Sequence, residues 1–194
     1  MHMLDTCGEE IALILIGGVN YYTGQAFDMA AITDKAQNYG CRVGFDLAHA
    51  AGNLKMQLHD WGVDFAAWCG YKYLNGGPGS PSTIFIHERH LDRKDIPRLE
   101  GWWGHDKSSR FQMPNIFKPL KTAEAWQLSN PPILSMAPLL ASLEIFHEVG
   151  MSQLRDQSKI LTGYLESLLL SEIKDKITII TPASKQSRGC QLSI

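Results

Sequence analysis

Ile11-Ala12-Leu13-Ile14-Leu15-Ile16-Gly17-Gly18 is the stretch that decides the fold. The run is apolar without alternation and closes on two glycines, which is the pattern of a strand buried on both faces in a parallel sheet. A loop, Asn20-Tyr21-Tyr22-Thr23-Gly24-Gln25, follows it. From Asp28 to Tyr39 the period turns helical. Asp28 is placed to cap the N-terminus, Met29, Ile32 and Ala36 share a face, and Gly40 is a natural stop. Arg42 to Asp46 predicts a second strand, Leu54 to Trp61 a short helix ended by Gly62, and Asp64 to Trp68 a third strand. Ser82 to His87 is a further strand candidate beyond a Gly/Pro-rich loop. The order β-α-β-α-β with short connections predicts an α/β fold with a mainly parallel sheet covered by helices.

Downstream, Leu91 to Asn130 has weak periodicity and is rich in Gly, Pro, Trp and charge, the composition of a long functional loop. Helices resume near Ser135, with Pro138 expected in the first turn, where proline is tolerated. Leu139, Leu140, Leu143 and Phe146 recur at helical spacing, Gly150 punctuates, and a second helix is expected over Ser152 to Leu170. Ile177 to Thr181 predicts a strand, and Cys190 to Ile194 starts another. That last apolar edge has nothing after it to pair with, so we expect either a longer protein or a second chain to cover it.

The 194 residues carry 18 Lys+Arg against 20 Asp+Glu, a formal net charge of −2. Phosphate contacts need a concentrated basic face, so this balance argues against a nucleic-acid partner. No apolar run approaches the roughly 18 residues of a membrane span. Met1-His2-Met3-Leu4-Asp5 lacks the basic and long apolar segments of a signal peptide. Cys7, Cys41, Cys69 and Cys190 form no C-x-x-C pair, so free thiols in a reducing cytoplasm are expected, with no metal site.

The chemistry concentrates between Val43 and Asn75. One strand ends in Phe45-Asp46 before Leu47-Ala48-His49-Ala50, and a later one in Trp68-Cys69-Gly70 before Tyr71-Lys72-Tyr73-Leu74-Asn75. In open α/β sheets ligands bind beyond the carboxyl ends of the strands, where Asp46 and Lys72 both fall. A lysine amine and a carboxylate in that relation suit pyridoxal phosphate, which needs an amine for its Schiff base and an acid opposite its ring nitrogen. Spacing alone favours a solvated ion pair over the cofactor. His87-Glu88-Arg89-His90 is not H-E-x-x-H and reads as a surface charge cluster. Gly76-Gly77-Pro78-Gly79-Ser80 lacks the ending of a P-loop and reads as a flexible connection after the lysine. Gly17-Gly18 is not G-x-G-x-x-G, which weakens a dinucleotide site.

Taken together, several separated motifs resemble the kynureninase family. They are Gly24-Gln25-Ala26-Phe27, Gly44-Phe45-Asp46-Leu47-Ala48-His49-Ala50, His59-Asp60-Trp61-Gly62-Val63-Asp64-Phe65-Ala66, Tyr71-Lys72-Tyr73-Leu74-Asn75 and Ser129-Asn130-Pro131-Pro132-Ile133. Gly101-Trp102-Trp103-Gly104-His105 and Arg188-Gly189-Cys190-Gln191-Leu192 also look like that family, so the resemblance runs from about Ile11 to Ile194. It implies the three-layer, aminotransferase-like large domain of fold-type-I pyridoxal-phosphate enzymes over residues 1–182, with 183–194 opening a small C-terminal domain. It also implies hydrolysis of L-kynurenine, or its 3-hydroxy form, to the anthranilate and L-alanine in tryptophan degradation and NAD biosynthesis, by a cytoplasmic homodimer. Lys72 would carry the cofactor, Asp46 would pair with its ring nitrogen, His49 would lie beside it and Tyr71 would contact its phosphate. Trp102 and Asn130 would complete the pocket from the neighbouring subunit, and His105 would touch substrate. Gly17 stands where some relatives have a serine that contacts the phosphate. The family's N-terminal phosphate contacts and C-terminal carboxylate-binding arginine have no counterpart here, so a chain without activity of its own, or an assembly module, is the competing expectation. A cysteine-desulfurase-like lyase would place glutamine at 49 and histidine at 71, unlike His49 and Tyr71 here.

Overall fold

The computed structural model describes residues 1–194. A short helix, α1 (His2–Cys7), leads into β1 (Leu13–Gly17), and α2 (Met29–Asn38) carries the chain over to β2 (Arg42–Asp46). Asp28 caps α2 by accepting from the Ala31 N–H at 3.0 Å. β3 (Phe65–Cys69) and β4 (Ser82–Ile86) complete a 4-stranded sheet in the order β1-β2-β3-β4. The first three strands run parallel, with Gly17 opposite Asp46 and Asp46 opposite Ala67. β4 is antiparallel to β3: the short link between Cys69 and Ser82 turns back on itself, closed by Gly70 N–H to the Pro81 carbonyl at 3.1 Å.

Both parallel crossovers move the same way along the sheet, so the right-handed rule sends both to one face. Val43, Phe45 and Ala66 on that face bury against Met29 and Ala36 of α2 and against Leu47, Ala50 and Val63 of the second crossover. The opposite face leaves Leu13, Leu15, Ala67 and Ile84 exposed, so β1, an outer strand of the sheet, is not buried on both faces as its apolar run predicts.

The second crossover is not the helix expected over Leu54 to Trp61. Leu54, Met56 and Leu58 pack on the core while Lys55, Gln57 and His59 point to solvent. That period of two is incompatible with a helix of 3.6 residues per turn. Turns close only at its end, through Trp61 N–H to the Gln57 carbonyl at 2.9 Å and Gly62 N–H to the His59 carbonyl at 2.8 Å.

Beyond the long loop, α3 (Ile133–Val149) and α4 (Met151–Glu172) meet at Gly150 with an 88° bend. α3 begins before Ser135, which moves Pro138 out of the first turn. Its missing N–H leaves the Leu134 carbonyl without a helical donor. No single helix is long and apolar enough to cross a membrane.

Residues 177–181 and 190–194 are extended but form no strands. Ile180 N–H reaches the Ser193 carbonyl at 3.0 Å, and Ser193 N–H then turns to the Thr181 hydroxyl at 2.8 Å. A side-chain acceptor has replaced the next rung of a ladder. Arg188 secures this end of the chain. Its side chain is only 1% exposed and holds Glu166 bidentately at 2.8 and 2.5 Å. Arg155 donates to the Arg188 and Lys185 carbonyls at 2.5 and 2.7 Å.

Candidate active site

The carboxyl ends of β1, β2 and β3 bring Gly17, Asp46 and the loop bearing Lys72 to one edge of the sheet. Asp46 is exposed and spends Oδ1 on the Ala48 N–H at 2.8 Å, which starts the turn that carries His49. Backbone bonds from Ala50 and Ala51 N–H to the Leu47 carbonyl, both 2.9 Å, close that turn.

Lys72 sits in a loop closed by backbone hydrogen bonds. Gly70 N–H bonds the Pro81 carbonyl at 3.1 Å, and Gly76 N–H bonds the Gly70 carbonyl at 2.9 Å. A Cβ at Gly70 or Gly76 would lie 2.3 or 2.4 Å from the Ser80 hydroxyl, so only glycine allows this closure. The loop therefore aims Lys72 inward, and its Nζ lies 3.0 Å from His49 Nε2.

Burial is the main cause of a His49 pKa below the usual histidine value. The Lys72 charge lowers it further, and the Asp46 carboxylate opposes both. The imidazole is thus electrically in touch with both partners. As the neutral ring its Nε2 accepts from Lys72, which leaves the proton on Nδ1. Nδ1 is buried without a hydrogen-bond partner. Tyr21 and Tyr73 flank the ring, with centroids at 6.3 and 6.0 Å. Burial, with the Cys190 thiol adding to it, pushes the Tyr73 phenol up to about 12. Tyr71 is exposed with its ring 5.9 Å from Lys72 Nζ, and a hydrogen bond with the Cys69 thiol raises its phenol.

An amine, a carboxylate with one oxygen uncommitted and an imidazole with a spare buried N–H form a donor set that fits pyridoxal phosphate. No group of three or more His, Cys, Asp or Glu could hold a metal ion. In the His87–His90 cluster, His90 binds the buried Asp64 at 2.6 Å and His87 stacks on His59.

The chain does not bring Trp102, His105 and Asn130 to Lys72. Trp102 and His105 line a separate cavity of about 410 Å³ with Glu100 and Arg110. Trp102 Nε1 donates to the Arg110 carbonyl at 2.9 Å. Both ring nitrogens of His105 are engaged locally, by the Ser109 hydroxyl at 3.0 Å and the Lys118 N–H at 3.2 Å. Asn130 borders another cavity and accepts from the Ser129 hydroxyl at 3.1 Å. Tyr21 and Asn53, which sequence reading passed over, stand beside His49. Their only signal was proximity in the chain to the Gly24-Gln25 and His49-Ala50 motifs.

The aminotransferase class-V family matches residues 2–194. The chain is 57% identical over its whole length to kynureninase from Myxococcus xanthus, of which it covers 46%. It is 53% identical over 98% of its length to kynureninase from Flavobacterium psychrophilum, again covering 46%. It thus spans about half the length of these curated relatives. Among solved structures, the cystine C-S lyase C-DES in complex with cysteine persulfide is similar with a TM-score of 0.75 at 20% identity, over 95% of this chain and 48% of that one. The apo cysteine desulfurase from Thermococcus onnurineus NA1 gives a TM-score of 0.70 at 18% identity, over 94% and 44%. At such identities the structures speak for the fold alone. With the sheet-edge site on that fold and a family match over all but the first residue, the chain belongs to the aminotransferase class-V family.

Proposed function

We propose that this chain is the core of a pyridoxal-phosphate enzyme that hydrolyses L-kynurenine, or 3-hydroxykynurenine, to the corresponding anthranilate and L-alanine. The observation that carries the proposal is the 3.0 Å contact between Lys72 Nζ and His49 Nε2 at the sheet edge shared with Asp46. The kynureninase relatives at 53–57% identity support the substrate class. When bound, pyridoxal phosphate supplies an electron sink for negative charge on carbons next to the substrate's amino group.

The chain's own residues do the rest. Lys72 must shed its proton before it can attack an aldehyde, and the neutral His49 Nε2 is the nearest acceptor. As a free amine, Lys72 would also be placed to move the proton at the substrate Cα. The Asp46 carboxylate would hold a proton on the ring nitrogen of the bound cofactor. Tyr71, exposed beside Lys72, is left to bind phosphate, with Gly17 at the same edge. The overall reaction consumes one water: its hydroxyl stays on the former γ-carbonyl carbon as the anthranilate carboxyl, and Cβ keeps the electron pair of the broken Cβ–Cγ bond and takes a proton to become the methyl of alanine.

Trp102, His105 and Asn130 lie away from Lys72 within one chain, which favours a homodimer in which Trp102 and Asn130 serve the neighbouring subunit's site. Residues 183–194 are assigned to the start of a smaller C-terminal domain, and the enzyme to the cytoplasm and to tryptophan degradation. The test is titration of the protein with pyridoxal phosphate. Wild type should develop a shifted visible absorption band, and Lys72→Ala should not. No band in wild type, or an identical band in Lys72→Ala, overturns the proposal.

A further inference from the structure

We propose that Asn53 is a positioning residue that clamps the Asp46–His49 turn to the Arg188-Gly189-Cys190 segment and so fixes the His49 imidazole against Lys72. The inference rests on the assignment of Lys72 and His49 to the cofactor site. Asn53 is buried, and its amide is used at both ends. Nδ2 donates to the His49 carbonyl at 2.9 Å, and Oδ1 accepts from the Cys190 N–H at 3.0 Å, a residue 137 positions away. A planar amide that spends both its donor and its acceptor on backbone has one orientation, so the two segments it joins share one geometry.

The far side of the clamp is rigid. Arg188, immediately before Gly189, is held by Glu166 and by the Pro182 carbonyl at 3.2 Å, while its own carbonyl is held by Arg155. Gln25 pairs with Arg188 across an isolated antiparallel bridge, and Ala26 N–H bonds the Ser187 carbonyl at 2.9 Å. Gly189 makes room for the amide: a Cβ there would lie 2.2 Å from Asn53 Nδ2 and 2.7 Å from Oδ1. Glycine at 189 is therefore a condition of the clamp. The near side ends at the functional group, since the Asn53 turn carries the ring that meets Lys72 Nζ. The segment from the far end of the chain thus reaches Lys72 through the Asn53 amide and the His49 ring.

The groups facing His49 are Lys72, Asp46 and the rings of Tyr21 and Tyr73. Freed of the clamp, the imidazole should move away from the Lys72 charge and into water. Its titration midpoint should then rise toward the usual histidine value of about 6.5.

The test is an NMR pH titration of the imidazole signals in cofactor-free protein, with His49 assigned by its loss in His49→Gln. We expect Asn53→Ala to shift the His49 midpoint upward, Gly189→Ala to do the same by displacing the amide, and the double variant to add little to either. The His105 signals, from a buried ring in a separate loop, should keep their positions. A folded Asn53→Ala or Gly189→Ala protein with an unmoved His49 midpoint overturns the proposal, as do upward shifts that simply add in the double variant. Should Asn53→Ala fail to fold, Gly189→Ala alone decides, because it keeps the amide and changes only its place. The measurement uses no cofactor, so its failure is distinct from failure of the cofactor assignment, which shows as a missing visible band in wild type.

Discussion

Replacing Arg188 with methionine removes a buried charge while keeping most of the side-chain volume, so the expected loss is electrostatic and not a cavity. The guanidinium makes two bonds to Glu166, at 2.8 and 2.5 Å, and one to the Pro182 carbonyl at 3.2 Å. Breaking a fully buried pair by removing one partner costs about 3–5 kcal/mol, because the other charge is left without compensation. The Glu166 side chain keeps 18% exposure, so water recovers part of its solvation and the lower end, about 3 kcal/mol, applies. For a domain of this size each kcal/mol moves the thermal midpoint by about 2–4 °C, which predicts a drop of about 6–12 °C at neutral pH. Circular dichroism melts of wild type and Arg188→Met measure it.

The effect should also depend on pH. Hydrogen bonding to Arg188 holds the Glu166 carboxyl below the usual carboxylate range. Its stabilisation is therefore present above the unfolded pKa of about 4.3 and is lost as pH falls through the lower folded value. The two melting curves should converge in acid. A neutral-pH difference under about 2 °C, or a gap that persists unchanged in acid, would refute the reasoning.

Other expected outcomes can be checked in parallel. The lowered pKa of His49 means that the unfolded chain takes up a proton first. The chain should lose stability as pH falls below about 6.5 toward the folded value, and His49→Gln should flatten that part of the stability curve. Asp64→Ala strips the Val43 N–H and the buried His90 of their acceptor, at 2.7 and 2.6 Å. Urea titration should find a loss of about 3 kcal/mol. Pro138→Ala restores a donor for the Leu134 carbonyl and should raise the thermal midpoint. Gly70→Ala forces a Cβ onto the Ser80 hydroxyl and should weaken pyridoxal-phosphate binding, read as the midpoint of the visible titration, by displacing the Lys72 loop.

The parts of the fold legible in the sequence are those governed by local rules. Asp28 capped its helix as its side chain dictates, and Arg42–Asp46 formed the expected strand. The Leu54–Trp61 segment departs from the expected helix, and Leu54, Met56 and Leu58 alternate with polar residues. The period of two was present, but Gly62 suggested a helix stop. The antiparallel return of β4 depended on the turn closed between Gly70 and Pro81, and Ile177–Thr181 on the Ser193 N–H donating to the Thr181 hydroxyl, which no pattern announces.

At the candidate site, strand ends placed Asp46 and Lys72 from sequence alone. The intervening contact through His49 needed coordinates, since residues 49 and 72 meet through a loop whose closure rests on Gly70, Gly76 and Ser80. Asn53 was invisible because both of its partners are backbone atoms, one of them 137 residues away.

The central claim is that Lys72, poised by His49, is the amine that takes pyridoxal phosphate. Borohydride reduction of the protein incubated with the cofactor, followed by peptide mass spectrometry, tests it most directly. A phosphopyridoxyl group on Lys72 is the predicted result. Label distributed over surface lysines such as Lys107 and Lys118, with Lys72 unmodified, would contradict it.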